Sequence, residues 1–162
     1  MAWIRTSPND QAGSPLVQAE SLHPRARDLH QELERELLGG PSPLSRAQRQ
    51  MIAVAVSATN GCRYDVARHS EALRAELNDE TLVRQVALDY REANIAAVDR
   101  ALIDYAVALT CEPEERTIQD IERLREYGLG DEAILHVTEL AAYLNFTNRV
   151  ALGLGVENTP ER

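Results

Sequence analysis

A thiol, a carboxyl group and an imidazole are spaced along one segment of the sequence so that they could carry out redox or acid–base chemistry. They belong to Cys62, Asp65 and His69, with Tyr64 between them and Gln50 twelve residues before the cysteine. Steps of three and four residues keep side chains on one face of a helix, so we expect the three groups to share a surface. The sequence therefore predicts one candidate cavity formed by these five residues.

The protonation states expected in this segment depend on opposing effects. Cys62 is predicted in the first turn of a helix, where free amides and the helix dipole lower the pKa of a thiol. The negative charge of Asp65 would raise that pKa again. A small buried cysteine fits the position as well as a reactive thiol does. Asp65 and His69 either form an i, i+4 pair that stabilises the helix or act as an acid–base pair, with the carboxylate raising the imidazole pKa.

The elements that must position these groups are helices. A first helix is predicted from Pro24, with one apolar stripe ending before two glycines. Ser45 and Gln48 form the pattern of a capping box, which opens a second helix through Ala58 that is apolar on every face and therefore buried. The stripe of the first helix consists of Ala26, Leu29, Leu33 and Leu37.

The remaining helices follow from caps and apolar spacing, and no stretch alternates strictly enough for a strand. We expect about seven helices in one all-α bundle that oligomerises. The third runs from Cys62 to Leu77, and the next four begin at the caps Asp79, Asn94, Thr117 and Asp131, with Gly128 ending the sixth.

Three ranges describe the expected organisation: an extended arm over residues 1–18, a helical domain over 19–157 and a tail over 158–162. The arm contains many loop-forming residues, with Trp3 and Ile4 as its large apolar side chains. It is either a flexible terminus or a segment whose two apolar residues pack on a neighbouring subunit.

Composition excludes several classes of function. Hydrophobic residues make up 44% and charged residues 27%, which is typical of a globular chain, and the net charge of −9 disfavours binding to nucleic acid. The longest apolar stretch, Met51 to Ala58, is too short to span a bilayer, so we expect a cytoplasmic protein without a membrane anchor. No clustering of ligands predicts a metal, and no motif predicts a cofactor.

Two segments carry a resemblance to a known family. Residues 44–57 (LSRAQRQMIAVAVS), followed by residues 60–65 (NGCRYD) and His69, resemble the signature of alkylhydroperoxidase D and carboxymuconolactone decarboxylase-like proteins. Residues 143–149 (YLNFTNR) and 153–156 (GLGV) are similar to the closing helix of the peroxidase-related subgroup. The resemblance implies an all-α bundle and a homo-oligomer, a dimer, trimer or hexamer, and it adds Asn145 and Arg149 as candidate pocket residues.

The redox members of that family carry a Glu, a Cys-x-x-Cys twelve residues later, and a His four residues after the second Cys. The resemblance places Cys62 at the first cysteine, which is usually the resolving one, and His69 at the proton-relay histidine. Asp65 stands at the attacking cysteine and Gln50 at the glutamate. No disulfide can form inside this motif, and Cys111 could replace the missing thiol only within about 7 Å between Cα atoms.

Three functions follow as hypotheses. The first is a peroxidase-related oxidoreductase with antioxidant function, in which Cys62 attacks a peroxide, His69 assists proton transfer and an external thiol donor resolves the product. The second is a non-redox enzyme of the decarboxylase type, in which Asp65 and His69 act on a small organic acid or lactone. The third is an oligomeric binding protein whose catalytic site has decayed.

Overall fold

The segment that carries the candidate residues lies at the centre of a bundle of helices. The computed structural model describes residues 2–6 and 13–156, and within these ranges it contains eight α-helices and no strand. The all-α fold is therefore confirmed. The helices are α1 (Pro15–Ala19), α2 (Pro24–Glu34), α3 (Arg46–Thr59), α4 (Arg63–Leu77), α5 (Glu80–Asp89), α6 (Ala97–Cys111), α7 (Ile118–Glu126) and α8 (Asp131–Gly153).

Helix α3 forms the core and packs against α4, α5, α6 and α8. Every residue from Met51 to Ser57 is buried. The predicted capping box is present, because the Ser45 hydroxyl accepts from the amide of Gln48 and the Gln48 side chain accepts from the amide of Ser45. The cap fixes where α3 begins, and burial on all faces holds it between its neighbours.

Helix α2 departs from its predicted orientation. Ala26 is exposed, Leu29 and Leu33 are about half exposed, and of the stripe only Leu37 is buried. His30 is the residue that α2 buries, with Nδ1 2.7 Å from Glu20 Oε1 and its ring against Tyr143 and Phe146. A polar and aromatic contact therefore decides which face of α2 points inward, and the apolar stripe remains on the surface.

The arm also differs from the expected extended segment, because residues 15–19 form α1. Ser14 caps this helix and Leu16 and Ala19 are buried, which supplies the apolar contact that holds it. Near the start of the chain, the Trp3 amide donates to the Leu154 carbonyl at 2.7 Å, so the arm contacts its own chain. The expectations for residues 7–12 and for the tail beyond residue 156 lie outside the described residues.

Two predicted caps are shifted and the others hold. Ala96, and not Asn94, precedes the first turn of α6, and Gly130 precedes α8 with Asp131 as its first residue. Asp79 accepts from the Leu82 amide at the start of α5 as expected. Gly128 has φ +81°, a conformation that favours glycine and separates α7 from α8. Within the described residues, no helix is long and apolar enough to cross a membrane.

Candidate active site

The site is built around the first turns of α4. Helix α3 ends at Thr59 with Asn60 as its C-cap, and Gly61 reverses the chain with φ +69°. This turn places Cys62 at the N-cap of α4, with its amide donating to the Ser57 carbonyl at 2.9 Å. Cys62 is consequently enclosed between α3 and α4, with 1% of its surface exposed.

Cys62 is held as a thiol, not as a thiolate. Its S–H donates to Asp65 Oδ2 at 3.3 Å. Burial raises the pKa of this thiol from 9.0 to about 11, and the charge of the Asp65 carboxylate adds to the increase. The amides of Asp65 and Tyr64 lower the pKa but do not offset burial. Desolvation, which is not among the two opposing effects expected from the sequence, is the largest effect and leaves the pKa raised.

Asp65 is the fully buried centre of the site. Besides the Cys62 thiol, its Oδ2 accepts a hydrogen bond of 2.7 Å from the Asn148 amide on α8. Its Oδ1 lies 3.5 Å from Arg68 Nε, and Arg68 also pairs with Glu34 of α2. The carboxylate is thus held by a cation and an amide from different elements, and its side chain faces Arg68 instead of His69.

His69 is held neutral by burial and by the charge of Arg68. Its Nδ1 lies 2.9 Å from Gln50 Oε1, and its Nε2 lies 3.3 Å from Arg68 Nη2. A guanidinium can only donate, so Nε2 must accept, the proton must sit on Nδ1, and Gln50 must present its oxygen. Burial, and then the charge of Arg68, lower the pKa of His69 well below 6.5. The expectation that Asp65 raises this pKa is therefore wrong, because Arg68 lies between the two groups.

The five candidate residues do not line one cavity. Gln50 and His69 open into a cavity of about 570 Å³, which we call the imidazole cavity. Cys62 and Tyr64 line a separate cavity of about 460 Å³, the thiol cavity. Asp65 is buried between them. The other described residues that line the imidazole cavity are Ser14, Val17, Gln31, Glu34, Arg35, Leu38, Gly39, Arg68 and Ala72.

Asn145 and Arg149, the candidates from the closing helix, line neither of these two cavities. The Asn145 amide donates to the Thr110 hydroxyl at 2.9 Å, and its oxygen accepts from Asn60 at 3.0 Å. Arg149 donates to the Asn145 carbonyl and side chain at the surface. Asn145 therefore connects α8 to α6 and to the end of α3, whereas these hydrogen bonds of Arg149 lie within α8.

The structure adds residues that the sequence did not single out: Arg68, Glu34 and Asn148. Arg68 could have been found from its i, i+3 spacing to Asp65 and its position before His69. Asn148 lies in the closing motif, three residues after the expected Asn145. Nothing in the local sequence connects Glu34 with α4, because α2 reaches the site only through the fold.

The two cysteines of the chain differ in exposure. Cys111 ends α6 and is exposed, whereas Cys62 is buried, and both are free thiols. A disulfide between them is absent, and no other cysteine exists in the sequence.

Comparison with known proteins agrees with this architecture. The sequence pattern of the carboxymuconolactone decarboxylase family matches residues 24–88. A crystal structure of an uncharacterized peroxidase-related protein from Silicibacter sp. TM1040 is 30% identical, with a TM-score of 0.86 over 90% of this chain and 76% of that chain. No curated protein matched the sequence significantly.

Two further structures share the fold. One is an alkylhydroperoxidase AhpD core, an uncharacterized peroxidase-related protein from Ralstonia eutropha JMP134, at 27% identity and a TM-score of 0.87 over 94% of this chain and 80% of that chain. The other is the debrominase Bmp8, at 16% identity and a TM-score of 0.78 over 90% of this chain and 77% of that chain. At that identity Bmp8 shares the fold alone. The chain belongs to the carboxymuconolactone decarboxylase family and has the alkylhydroperoxidase D-like fold, as the motifs predicted.

Proposed function

We propose that this protein is a non-redox acid–base enzyme that transfers a proton at a carbon of a small organic acid or lactone acid. The observation that supports this proposal is the chain of contacts from Gln50 through His69 to Arg68 on the wall of the imidazole cavity. This chain of contacts places a neutral imidazole, which can act as a base, next to a guanidinium, which can bind an anion. Neither group lines the cavity into which the Cys62 thiol opens, so the structure does not bring them to a thiol-based reaction.

Arg68 supplies the recognition of an acid. Its guanidinium lines the imidazole cavity and is about one-third exposed, whereas its partner Asp65 is fully buried. Guanidinium groups bind carboxylates through two parallel hydrogen bonds. A substrate carboxylate in the cavity would compete with Glu34 and with His69 Nε2 for these donors.

That competition would activate His69. The guanidinium donates to Nε2 in the free protein, so the lone pair of the imidazole is occupied. When a carboxylate binds Arg68, it neutralises the charge that lowers the His69 pKa, and Nε2 becomes available. The imidazole then takes the proton from the substrate carbon at Nε2, while Nδ1 keeps its bond to Gln50. Binding of the correct substrate would thus create the base.

Asp65 has a positioning role in this proposal. It contacts Arg68, Asn148 and Cys62, and it holds the guanidinium in place from the side opposite the cavity. This differs from the acid–base pair of Asp65 and His69 expected from the sequence. The exchange of a cysteine for a carboxylate at position 65 therefore favours charge pairing over redox chemistry.

The proposal is tested by proton exchange at carbon. We would incubate the protein in D₂O with a panel of small lactone carboxylic acids, including carboxymuconolactone, and follow deuterium incorporation or loss of CO₂ by NMR. His69→Gln should reduce the rate by about 10² or more, the range usual for loss of a general base. Arg68→Met should raise KM, and Arg68→Lys should restore part of the loss.

Cys62→Ser is the matched control, because it removes the thiol and keeps a small hydrogen-bond donor to Asp65. Acid–base turnover should survive this change. Activity that persists in His69→Gln, or that disappears in Cys62→Ser, would contradict the proposal.

A second candidate function rests on the position of Cys62 at the wall of the thiol cavity. A peroxide entering there would be attacked at oxygen by the Cys62 thiolate, the O–O bond would break and an alcohol would leave with a proton. The sulfenic acid that forms would be reduced by two equivalents of an external thiol, which become a disulfide. The raised pKa makes the thiolate scarce at neutral pH, so we rank this function second.

The test of this candidate is peroxide consumption with a thiol donor present. Turnover should rise steeply with pH and vanish in Cys62→Ser. Steady turnover that survives Cys62→Ser would eliminate it. If both functions fail, the decayed binding protein remains, and the double change Gln50→Glu and Asp65→Cys should then generate peroxidase activity that requires a dithiol.

We further propose that the chain self-associates through the apolar side chains that α2 and α8 leave on the surface. Leu29, Leu33 and Phe146 are each about half exposed, and the ring of Phe146 contacts His30 of α2. Exposed apolar side chains grouped in this way are typical of subunit interfaces. Analytical ultracentrifugation should give an oligomer that Leu33→Glu dissociates, and a monomeric parent protein would reject the proposal.

A further inference from the structure

The thiol cavity is lined in part by Trp3, a residue near the start of the chain. Trp3 lies across it, with Gly61, Cys62, Arg63 and Tyr64 on the α4 side. Leu152, Gly155 and Val156 close the side towards the end of α8. The volume of about 460 Å³ is in the range of small-molecule sites. The walls thus combine an indole, a phenol ring and two aliphatic side chains around a buried thiol.

The position of Trp3 depends on a glycine. The Trp3 amide donates to the Leu154 carbonyl at 2.7 Å, which brings the indole over Gly155. A Cβ atom at position 155 would lie 2.1 Å from the indole, and Gly155 has φ +61°, where other residues are strained. Space and backbone conformation therefore both require glycine here. Trp3 is nevertheless 79% exposed, so one face of its ring is available to another molecule.

Among the described residues that line this cavity, Arg63 is the cation. It is exposed as the first residue of α4, and its amide donates to the Gly61 carbonyl at 3.1 Å, whereas its side chain makes no hydrogen bond or ion pair with the described residues. Among the other arginines, Arg68, Arg74 and Arg125 are paired with carboxylates. The neighbouring thiol is uncharged at neutral pH. An anion at the rim would therefore meet a positive charge, and none of the described residues that line the cavity is a carboxylate that would compete for it.

We propose that the thiol cavity is a second ligand site, which takes a small planar aromatic acid. The aromatic ring would lie against the indole of Trp3 and between the side chains of Leu152 and Val156. The acid group would bind the guanidinium of Arg63 at the rim. This site is separate from the imidazole cavity and does not depend on the function proposed above, because Asp65 is buried between the two.

The sequence provides a reporter for the test, since Trp3 is the only tryptophan. We would titrate the protein with 4-nitrobenzoate, an aromatic acid that quenches indole fluorescence on contact, and use 4-nitrobenzamide as the uncharged analogue of equal shape. The acid should quench Trp3 saturably, and the amide should bind about tenfold more weakly, the factor typical for loss of one charge-assisted hydrogen bond. Quenching that rises linearly for both compounds would show collision only and would overturn the proposal.

Arg63→Gln should weaken 4-nitrobenzoate binding about tenfold, because it too removes one charge-assisted hydrogen bond. Arg46→Gln is the matched control, because Arg46 is likewise exposed and is the first residue of α3. It should leave the affinity unchanged. Gly155→Ala should displace the indole and remove saturable quenching. Circular dichroism would verify that this variant folds, and the Arg63 and Arg46 pair decides the question if it does not.

Arg68→Met separates this site from the imidazole cavity. Binding that is lost in Arg68→Met but kept in Arg63→Gln would place the ligand at His69 and refute the proposal. Binding that shows the opposite pattern would support it, whatever the outcome of the proton-exchange assay.

Discussion

The thiol cavity and the imidazole cavity lie at the same helix, yet they keep their reactive groups neutral in opposite ways. At the N-cap of α4 an acid, the Cys62 thiol, is kept protonated by burial and by the neighbouring carboxylate. Two turns further on a base, His69, is kept unprotonated by burial and by the neighbouring guanidinium. The charged groups between them are Asp65 and Arg68, with Asp65 Oδ1 3.5 Å from Arg68 Nε.

This comparison shows that burial is the largest influence on both pKa values, ahead of the neighbouring charge and of the position along the helix. The helix terminus favours a thiolate at Cys62, but desolvation exceeds that effect. The face shared by Cys62, Asp65 and His69 is likewise divided, because Asp65 and Arg68 fill the space that would connect the two cavities. The following predictions test this division, beginning with the largest expected effect.

Asp65→Ala should lower the free energy of unfolding by about 3 kcal/mol, because it removes a charge partner of Arg68 and leaves the buried Asn148 amide without one of its acceptors. Urea denaturation followed by circular dichroism would measure the loss. Asp65→Asn, which keeps the shape and one acceptor oxygen, should lose clearly less. Equal losses in the two variants would show that size and not charge matters at the centre of the site.

The neutral state of His69 predicts a loss of stability in mild acid. The pKa of His69 in the folded protein lies below the 6.5 of the unfolded chain, so its contribution is fully present above pH 6.5 and is lost as the pH falls. The slope approaches about 1.4 kcal/mol per pH unit below pH 6.5 for as long as the folded protein keeps His69 neutral. Urea denaturation across this range should show the loss.

His69→Gln should remove this component of the slope. His23→Gln is the control, since His23 is exposed at the start of α2 and should leave the slope unchanged. Parallel slopes for the parent protein and His69→Gln would contradict the neutral assignment.

The thiol at the other end of the helix should respond to the charge of Asp65. In a Cys111→Ser background, the rate of alkylation of Cys62 by iodoacetamide should follow a pKa of about 11. Asp65→Asn removes the negative charge, so the pKa should fall and alkylation at pH 8 should accelerate several-fold. An unchanged rate profile would mean that burial alone holds the thiol protonated.

The raised pKa of the Cys62 thiol also predicts how the stability of the protein changes with pH. The folded protein binds the Cys62 proton up to about pH 11 and the unfolded chain up to 9.0, so this contribution is complete below pH 9 and is lost as the pH rises through 11. Cys62→Ala should flatten the decline over that interval.

The smallest expected effect concerns the outer ion pair. Glu34→Gln breaks the pair with Arg68, and because both side chains are partly exposed the loss of stability should be about 1 kcal/mol or less. Alkylation of Cys62 should not change, since Glu34 lines the imidazole cavity only. A clear change in the Cys62 rate would show that the two cavities are coupled.

The sequence predicted much of the fold because its signals were local. The capping box of α3, the Asp79 cap and the turn at Gly128 depend on residues a few positions apart, and each appears in the structure. The spacing of α4 also placed the thiol and the carboxyl group in contact. Resemblance to the family added the overall architecture.

What the sequence could not supply was the set of contacts between distant segments. Glu34 reaches Arg68 from α2, Asn148 reaches Asp65 from α8, and His30 turns the leucine stripe of α2 outward. The division into two cavities follows from these contacts. The pKa values could not be predicted for the same reason. Desolvation depends on which helices pack over a group, and the periodicity of the sequence does not give that packing.

The burial of Asp65 between a guanidinium and an amide has a consequence for how the exchange at this position is understood. The family resemblance puts an attacking cysteine here, and such a residue works as a sulfur anion. The surroundings of position 65, with Arg68 Nε at 3.5 Å and the Asn148 amide at 2.7 Å, suit a negative charge of either kind. A carboxylate carries the same negative charge as a thiolate, but unlike a thiolate it is not oxidised by peroxide. Position 65 in this chain therefore keeps the charge of the reduced, deprotonated cysteine without its redox chemistry.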